Sequence, residues 1–222
     1  MKIQKLDLLI AIYISCIAIA ELMGAKTVPL FAIGDFRLTA SVALLVVPLL
    51  FTINDVIIEV HGKERARSVV FAGLIVIAVL LVMSLLVTHL PPSSRFMADE
   101  AAYDTIFGKS ARIAAASLAA FALAELLDVW VFAKIREKLG QKALWLRNNA
   151  SNFSAQLIDT FMFISLAFYA FDKSFTANAA FLIGLIIPYW LLKCMMSVIE
   201  TPFVYAGVKW LRGDASPGKT VN

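Results

Sequence analysis

The sequence predicts an all-α protein: a multi-pass bundle of about six transmembrane helices with both termini in the cytoplasm. Its 222 residues are 61% hydrophobic and only 16% charged, whereas soluble domains are usually close to half apolar. Several apolar runs reach the ~18–20 residues that a helix needs to cross a bilayer. Lysines and arginines gather on one side of these runs, which indicates the orientation.

Six spans follow from the hydropathy pattern. The predicted membrane helices cover residues 6–25, 38–60, 68–90, 111–134, 153–171 and 178–211. The first follows Lys2 and Lys5 and resembles a cleavable signal sequence. Its apolar run continues with Glu21, however, so we predict a retained membrane helix. The last run is too long for one simple span, and Pro188 and Pro202 predict a kink and an interfacial extension.

The connections are predicted from proline, glycine and polar residues. Residues 26–37 are apolar but contain Pro29 and Gly34, which indicates a short re-entrant or surface segment. Residues 91–110 are the one long polar loop of the prediction. We expect a single transmembrane domain over residues 1–212 and a disordered tail over residues 213–222.

The orientation depends on lysine and arginine alone. Most of the 20 basic residues fall at the termini, just after the second predicted span and between the fourth and fifth. Lys63, Arg65 and Arg67 are therefore topology signals first. They place both termini in the cytoplasm, and the net charge of +4 gives no reason to expect nucleic-acid binding.

The reactive residues argue against an enzyme or a metalloprotein. Cys16 and Cys194 stand alone in apolar runs and are expected to be buried without a disulfide. His61 and His89 lack the companions that a zinc site needs. The sequence shows no nucleophile with a base, no phosphate-binding glycine loop and no metal signature. We therefore predict no catalytic residues, no metal and no cofactor.

Acidic residues inside the predicted spans are the strongest functional signal. A charge within a membrane costs ~2.5–3.5 kcal/mol on insertion scales and is usually functional. At ~1.5 Å of rise per residue, Asp55, Asp128 and Asp159 fall in one layer of the inner half of the membrane. Glu21 lies apart from them, near the outer end of the first span. Three acids in one layer outnumber the buried cations. Some of these acids therefore need a proton, water or a ligand to offset their charge, which predicts a polar cavity for a small molecule.

Helical spacing places further polar groups beside these acids. Residues three or four apart share a helix face, which pairs Asp55 with Glu59 and Gln156 with Asp159. The candidate substrate-binding residues are Asn54, Asp55, Glu59, Glu125, Asp128, Trp130, Gln156 and Asp159.

Three of these candidates have a plainer interpretation. Glu59 is close enough to the interface to be a solvated cap beside Lys63. Glu125 can pair with a neighbouring helix, and Trp130 can be an ordinary interfacial aromatic residue. The sequence alone does not decide between these alternatives and a role in substrate binding.

Three other charged residues are assigned structural or gating roles: Glu21, Arg147 and Lys193. Arg147 is expected at the cytoplasmic mouth of the fifth span, within reach of an acid at the inner end of a neighbouring helix. Lys193 lies within the last span, where it is either a counter-ion of Glu200 or the partner of a buried aspartate such as Asp159. A substrate-site role for Asp159 is the preferred hypothesis, and an ion pair with Lys193 is the alternative.

Two long stretches resemble the signatures of one transporter family. These are "NDVIIEVHGKERAR" (54–67) and "LRNNASNFSAQLIDTFMF" (146–163), which are similar to stretches of the queuosine precursor transporters, also called the vitamin uptake transporter family. In the second, the expected positions are held by Arg147, Asn149, Ser151, Gln156, Asp159 and Phe163. The segment "ETPFVY" (200–205) is similar to the family's closing motif, and His61 stands where tyrosine is common.

The resemblance implies import of queuosine precursors, which are 7-deazaguanines, across the bacterial inner membrane for the salvage of a modified tRNA base. It also implies that the protein acts without the ATP-driven module that energy-coupling vitamin transporters use. The alternatives are a carrier for another vitamin or organic cation, or a substrate-binding subunit that needs a partner energising module. The expected partners are the small-molecule substrate and the lipid bilayer, with no nucleic acid and with a homo-oligomer left open.

The chemistry of the buried acids is compatible with such a substrate. A guanine-like edge offers a ring N–H and an exocyclic amine, which together match a carboxylate, and an aromatic side chain can stack on the heterocycle. The sequence leaves open which aspartate reads the base, which precursor form is preferred and what energy source drives import.

Overall fold

The computed structural model describes residues 3–33, 36–139, 144–199 and 201–213, with side chains given except at 31–38, 124–155 and 196–201. The helices of this described chain are α1 (Lys5–Met23), α2 (Val47–His61), α3 (Lys63–Val87), α4 (Glu100–Leu139), α5 (Leu144–Phe168), α6 (Phe175–Ile199) and α7 (Thr201–Arg212). A two-stranded hairpin joins α1 to α2. The predicted all-α, multi-pass class is confirmed.

Four of the described helices are long and apolar enough to cross a membrane. They contain Lys5–Met23, Lys63–Val87, Glu100–Leu123 and Phe175–Met195, and a shorter apolar stretch of α5 covers Gln156–Phe168. On α3, the side chains of Phe71, Ile75, Val79 and Val82 are 54–65% exposed and recur along one face. A continuous exposed apolar stripe of this kind suits contact with lipid.

The span predicted over residues 38–60 is wrong in its first half. Strand β1 (Thr27–Ile33) pairs antiparallel with β2 (Phe36–Ser41), and a 3₁₀ turn (Val42–Leu45) leads into α2, which has 15 residues. The Ser41 hydroxyl donates to the Gly24 carbonyl at 2.6 Å, which fastens the hairpin to the end of α1. Threonine and valine in this segment fit a strand as well as a helix, so hydropathy alone did not separate the two.

The long polar loop predicted over residues 91–110 is shorter than expected, because α4 already begins at Glu100. Its first turns are alanine-rich, which favours a helix. The ring of Tyr103 packs 4.4 Å from that of Phe107, one helical turn later, and 5.3 Å from that of Phe96 in the loop. These contacts extend the helix beyond the predicted start of the fourth span at residue 111.

A single glycine separates α2 from α3. Gly62 has φ 82°, a conformation that side-chain-bearing residues rarely adopt. Its N–H donates to the Ile58 carbonyl at 2.9 Å and so ends α2, and α3 begins at the next residue, Lys63. The first signature stretch is therefore split between two helices.

The last predicted span is two helices, as the expected kink and extension implied. Pro188 lies inside α6, which ends at Ile199, and α7 begins at Thr201 with Pro202 in its first turn, where proline is tolerated. Glu200, between them, lies outside the described residues.

Helix α7 packs back on α2 and on the start of α1. Val208 and Leu211 form an apolar cluster with Val56 of α2. The Lys5 ammonium donates to the Trp210 carbonyl at 2.7 Å and lies 5.1 Å from the centre of the indole ring. The described ends of α1 and α7 therefore meet at one end of the bundle, and their cytoplasmic location stays a prediction.

The interior consists of two main apolar cores. The first joins α1, α2, α3 and α4 around Ile57, and the second joins α5 and α6 around Ile164 and Leu185. Side chains from both cores, including Tyr13 and Tyr189, line the space between them. That space is the candidate site.

Asn178 ties the connection between α5 and α6 to the bundle, and its removal should lower stability. Its side chain is buried, donates to the Ala170 carbonyl and accepts from the Ala170 N–H, both at 2.8 Å. Asn178→Ala would leave these groups without their partner, at a cost of about 1–3 kcal/mol. We expect a lower midpoint of thermal unfolding in detergent, whereas Thr176→Ala in the same exposed turn should change little. Equal midpoints for the two variants would contradict this role.

Candidate functional site

A cavity of about 350 Å³ lies at the centre of the bundle, and we call it the central cavity. Helices α1 to α6 all contribute side chains to its wall, as does the Ser41 end of the hairpin. Small-molecule sites usually measure ~300–1,000 Å³. The central cavity is therefore at the small end of that range and suits one compact ligand.

The wall of the central cavity is mostly apolar with a few polar side chains. Those polar residues are Tyr13, Glu21, Ser41, Ser117, Asp159, Thr160, Tyr189 and Lys193. A mainly apolar wall with a few placed polar groups is typical of a site that orients an organic ligand.

Glu21 brings a carboxyl group to the cavity from the last turn of α1. It is 6% exposed, and its Oε2 atom has no hydrogen-bond partner among the side chains and backbone that the structure describes. Ser117 of α4 is placed to hydrogen-bond the same carboxyl group. The two helices are fastened nearby, because the Ser110 hydroxyl of α4 donates to the Leu22 carbonyl at 3.0 Å. Glu21 is thus held in place with an acceptor atom unused.

Asp159 and Lys193 form an ion pair across α5 and α6. The Lys193 ammonium donates to the Asp159 carboxylate at 2.6 Å, and the two side chains are 17% and 31% exposed respectively. Both residues line the central cavity. The ion pair and the cavity position, which the sequence presented as alternatives, therefore occur together.

Thr160 and several aromatic side chains complete the wall. Thr160 is 1% exposed, and its hydroxyl oxygen has no partner. The Tyr189 hydroxyl donates to the Ser41 carbonyl at 3.4 Å and so fixes its ring at the hairpin. Tyr13 and Phe163 also reach the cavity, which gives a planar ligand aromatic surfaces to pack against.

A second, smaller pocket of about 200 Å³ adjoins the central cavity. Asn54, Lys63 and Arg67 of the first signature stretch line it, and we call it the basic pocket. Val70 and Phe121 line both spaces. These two side chains therefore separate the central cavity from the basic pocket.

Comparison with known families decides the kind of protein to which this cavity belongs. The family described as "Putative vitamin uptake transporter" matches residues 41–207 of this chain. The chain belongs to the vitamin uptake transporter family. Together with its apolar helices, this makes it a multi-pass membrane protein.

The relatives of this family member carry more specific names. The chain is 34% identical over 197 residues to a "Probable queuosine precursor transporter" of Bacillus subtilis, covering 88% of this chain and 81% of the relative. It is 32% identical over 155 residues to a protein of the same name from Haemophilus influenzae, covering 69% and 62% respectively. It is 28% identical over 134 residues to the "Queuosine precursor transporter" of Escherichia coli, covering 59% and 56%. No solved structure matches the chain.

The first family-like stretch lies away from the central cavity. Asn54 faces the basic pocket, and Asp55, which is half-buried and has an interaction of its own, is not part of the central cavity wall. Glu59 is exposed, with its carboxylate 3.7 Å from the Arg212 guanidinium. Among the acids predicted for the substrate site, the described wall contains Asp159.

Other predicted residues are placed only in part. The Gln156 Oε1 atom is buried without a partner, but this residue is not in the described wall of the central cavity. The side chains of Glu125, Asp128, Trp130 and Arg147 lie outside the described residues. Their assigned roles stay predictions.

Two placements from the sequence need correction. Span five was predicted to start at residue 153, whereas α5 starts at Leu144; the depth of Asp159 in the membrane stays a prediction. Glu21 was expected to lie apart from the aspartates, yet it shares the central cavity with Asp159. The start of span five was misplaced because residues 144–152 are largely polar and were left out of the predicted span. In the structure they form the first turns of α5.

Sequence reasoning assigned Glu21 only a structural or gating role and missed Tyr13, Thr160 and Tyr189 of the cavity wall. Glu21 is the only Asp, Glu, Lys or Arg between Asp7 and Lys26, and an isolated acid in an apolar run is a functional candidate. Thr160 directly follows Asp159 in the second signature stretch. Tyr13 and Tyr189 carried no signal, because aromatic residues are common in membrane helices.

Metal and disulfide chemistry find no support in the described part of the chain. Neither Cys16 nor Cys194 forms a disulfide bond. Among the described side chains, no three His, Cys, Asp or Glu residues come together as metal ligands would.

Proposed function

We propose that this protein imports queuosine precursors, bases of the 7-deazaguanine type, across the bacterial inner membrane, and that the central cavity holds one base in transit. The observation that carries the proposal is the wall of this cavity, which combines acceptor oxygens, an ion pair and aromatic surfaces. The names of the relatives from three bacteria support the same substrate class.

The size of the cavity supports a free base as the cargo. At about 350 Å³, the central cavity is near the lower limit of small-molecule sites, which is ~300 Å³. A planar base can pack against Tyr13, Phe163 or Tyr189 while its polar edge meets the hydrophilic part of the wall. A compact cargo of this kind fits the space better than a nucleoside or a long-chain vitamin.

Carriage without chemical change is the proposed activity. The cavity wall includes an acid that is already paired with a lysine, and no described side chain hydrogen-bonds the Thr160 hydroxyl as an activating base would. The described groups bind and orient a ligand. We therefore propose a carrier and no enzyme activity.

One chain is the proposed working unit. All six helices around the central cavity come from the same chain. Ala114, Ala116 and Ala120 of α4 are buried between helices. Burial of these small residues supports close packing within the bundle and a carrier that does not depend on a partner energising module.

The experiment that tests the function is salvage in cells that cannot make the precursor. With the base supplied at low concentration, cells that express this protein should form the modified base in their tRNA, whereas cells without it should not. Uptake of a labelled 7-deazaguanine should be outcompeted by unlabelled base and unaffected by an unrelated vitamin. Equal tRNA modification with and without the protein would refute the proposal.

A further inference from the structure

Two buried oxygen atoms belong to residues that line the central cavity and have no hydrogen-bond partner among the described residues. They are Oε2 of Glu21 on α1 and the hydroxyl oxygen of Thr160 on α5. Both side chains are more than nine-tenths buried. Buried polar atoms are nearly always paired, and an unpaired one is costly. Two of them in one cavity indicate that a ligand supplies the missing partners.

The acids of the cavity differ in what they can offer. Asp159 already accepts a hydrogen bond from the Lys193 ammonium at 2.6 Å, so this carboxylate is neutralised by its partner. The other acid in the described wall is Glu21, which forms no ion pair with any described side chain and whose contact from Ser117 uses only part of its accepting capacity. A carboxylate has about four lone-pair sites. Glu21 therefore has the free acceptors that an incoming donor pair needs.

We infer that Glu21 and Thr160 are the residues that recognise the polar edge of the base, with Glu21 accepting from the ring N–H and the exocyclic amine. This inference rests on the proposed function and assigns its specificity to α1 and α5. Adjacent N–H donors of a guanine-like edge match the two oxygens of one carboxylate. The Thr160 hydroxyl, which can donate or accept, meets a second polar atom of the same base.

This arrangement predicts discrimination by the exocyclic amine. A site built to hydrogen-bond a ligand group rejects an analogue that lacks it, because the buried protein group is then left unpaired. A 7-deazaguanine and the matching 7-deazahypoxanthine differ in that amine alone. The protein should bind the first at least about tenfold more tightly, and Glu21 should be responsible for the difference.

The experiment measures binding of both bases to purified protein in detergent. For Glu21→Gln, which keeps the size but exchanges one acceptor for a donor, 7-deazaguanine binding should weaken at least about tenfold and the preference over 7-deazahypoxanthine should nearly disappear. Thr160→Val keeps the shape and removes a hydroxyl that has no hydrogen-bond partner in the described part of the chain. It should unfold at the same temperature as the wild type yet bind both bases at least about threefold more weakly.

Thr39→Val is the matched control, because the Thr39 hydroxyl is also buried and unpartnered but Thr39 is not part of the central cavity wall. It should bind both bases as the wild type does. A folded Glu21→Gln variant with unchanged preference, or a Thr160→Val variant with unchanged affinity, would overturn the inference. If Glu21→Gln does not fold, Thr160→Val decides alone. Failure of the wild type to bind either base would instead refute the proposed function.

Discussion

Replacing Lys193 with methionine should sharply reduce the amount of folded protein. The change removes the ammonium that lies 2.6 Å from the Asp159 carboxylate and leaves a partly buried charge without its partner. Breaking a fully buried ion pair from one side costs about 3 kcal/mol or more, and even part of that cost is a large share of the stability of an ordinary domain. Asp159→Asn strands the lysine in the same way and should have a similar effect. The measurement is the yield of monodisperse protein and its midpoint of thermal unfolding in detergent.

Two variants control this prediction. Lys173→Met removes the lysine of an exposed pair, in which the side chains of Lys173 and Asp172 are 64% and 74% exposed, and such surface pairs contribute about 1 kcal/mol at most. The double variant Asp159→Leu with Lys193→Met replaces both charges by apolar groups and should recover most of the lost yield. A Lys193→Met single variant as stable as Lys173→Met would show that the pair is not structural.

Gly73→Leu should abolish most import. Gly73 lines the central cavity, and even a Cβ atom at this position would lie 2.6 Å from the Ile17 side chain and 3.5 Å from that of Tyr13. The added side chain must displace the end of the Ile17 side chain or occupy the cavity itself, and overpacking of this kind costs about 1–3 kcal/mol. We expect uptake of a labelled base to fall at least about tenfold, since 1.4 kcal/mol is a factor of ten.

Gly108→Leu is the matched control for this substitution. Gly108 also lies in a helix, but a Cβ atom at this position would meet nothing within 4 Å. Leucine is a better helix former than glycine, so this variant should fold and transport at least as well as the wild type. Equal transport by the two leucine variants would mean that the substrate does not pass beside Gly73.

The success of the sequence analysis varied with the kind of signal available. The first and third predicted spans correspond closely to α1 (Lys5–Met23) and α3 (Lys63–Val87), because long apolar runs leave few alternatives. Prediction failed where a run was short or mixed. The hairpin and the 3₁₀ turn within residues 27–45 depend on contacts such as the bond from Ser41 to Gly24, which join residues far apart in the sequence.

The candidate site was also predicted only in part. Asp159 and Lys193 were both identified because charges inside a membrane are costly, and the sequence even presented their pairing as an alternative. What it could not give was which side chains meet in space. Glu21 joins Asp159 in one cavity because α1 and α5 both border it, whereas spacing along a single helix reports only neighbours on that helix.

The pairing of Asp159 with Lys193 also determines how the membrane voltage acts on this carrier. Two opposite charges that stay together contribute nothing to the charge that a moving site carries across the electric field. Among the described groups of the central cavity, the voltage then acts on Glu21, where it is ionised, and on the cargo. An ionised, empty site carries one negative charge, and a site loaded with a cationic precursor carries none. At about 2.3 kcal/mol per charge and 100 mV, an inside-negative potential favours the outward return of the empty site and so drives import of the cation. The same potential opposes the inward step of a site loaded with a neutral base, and that full cycle moves no net charge.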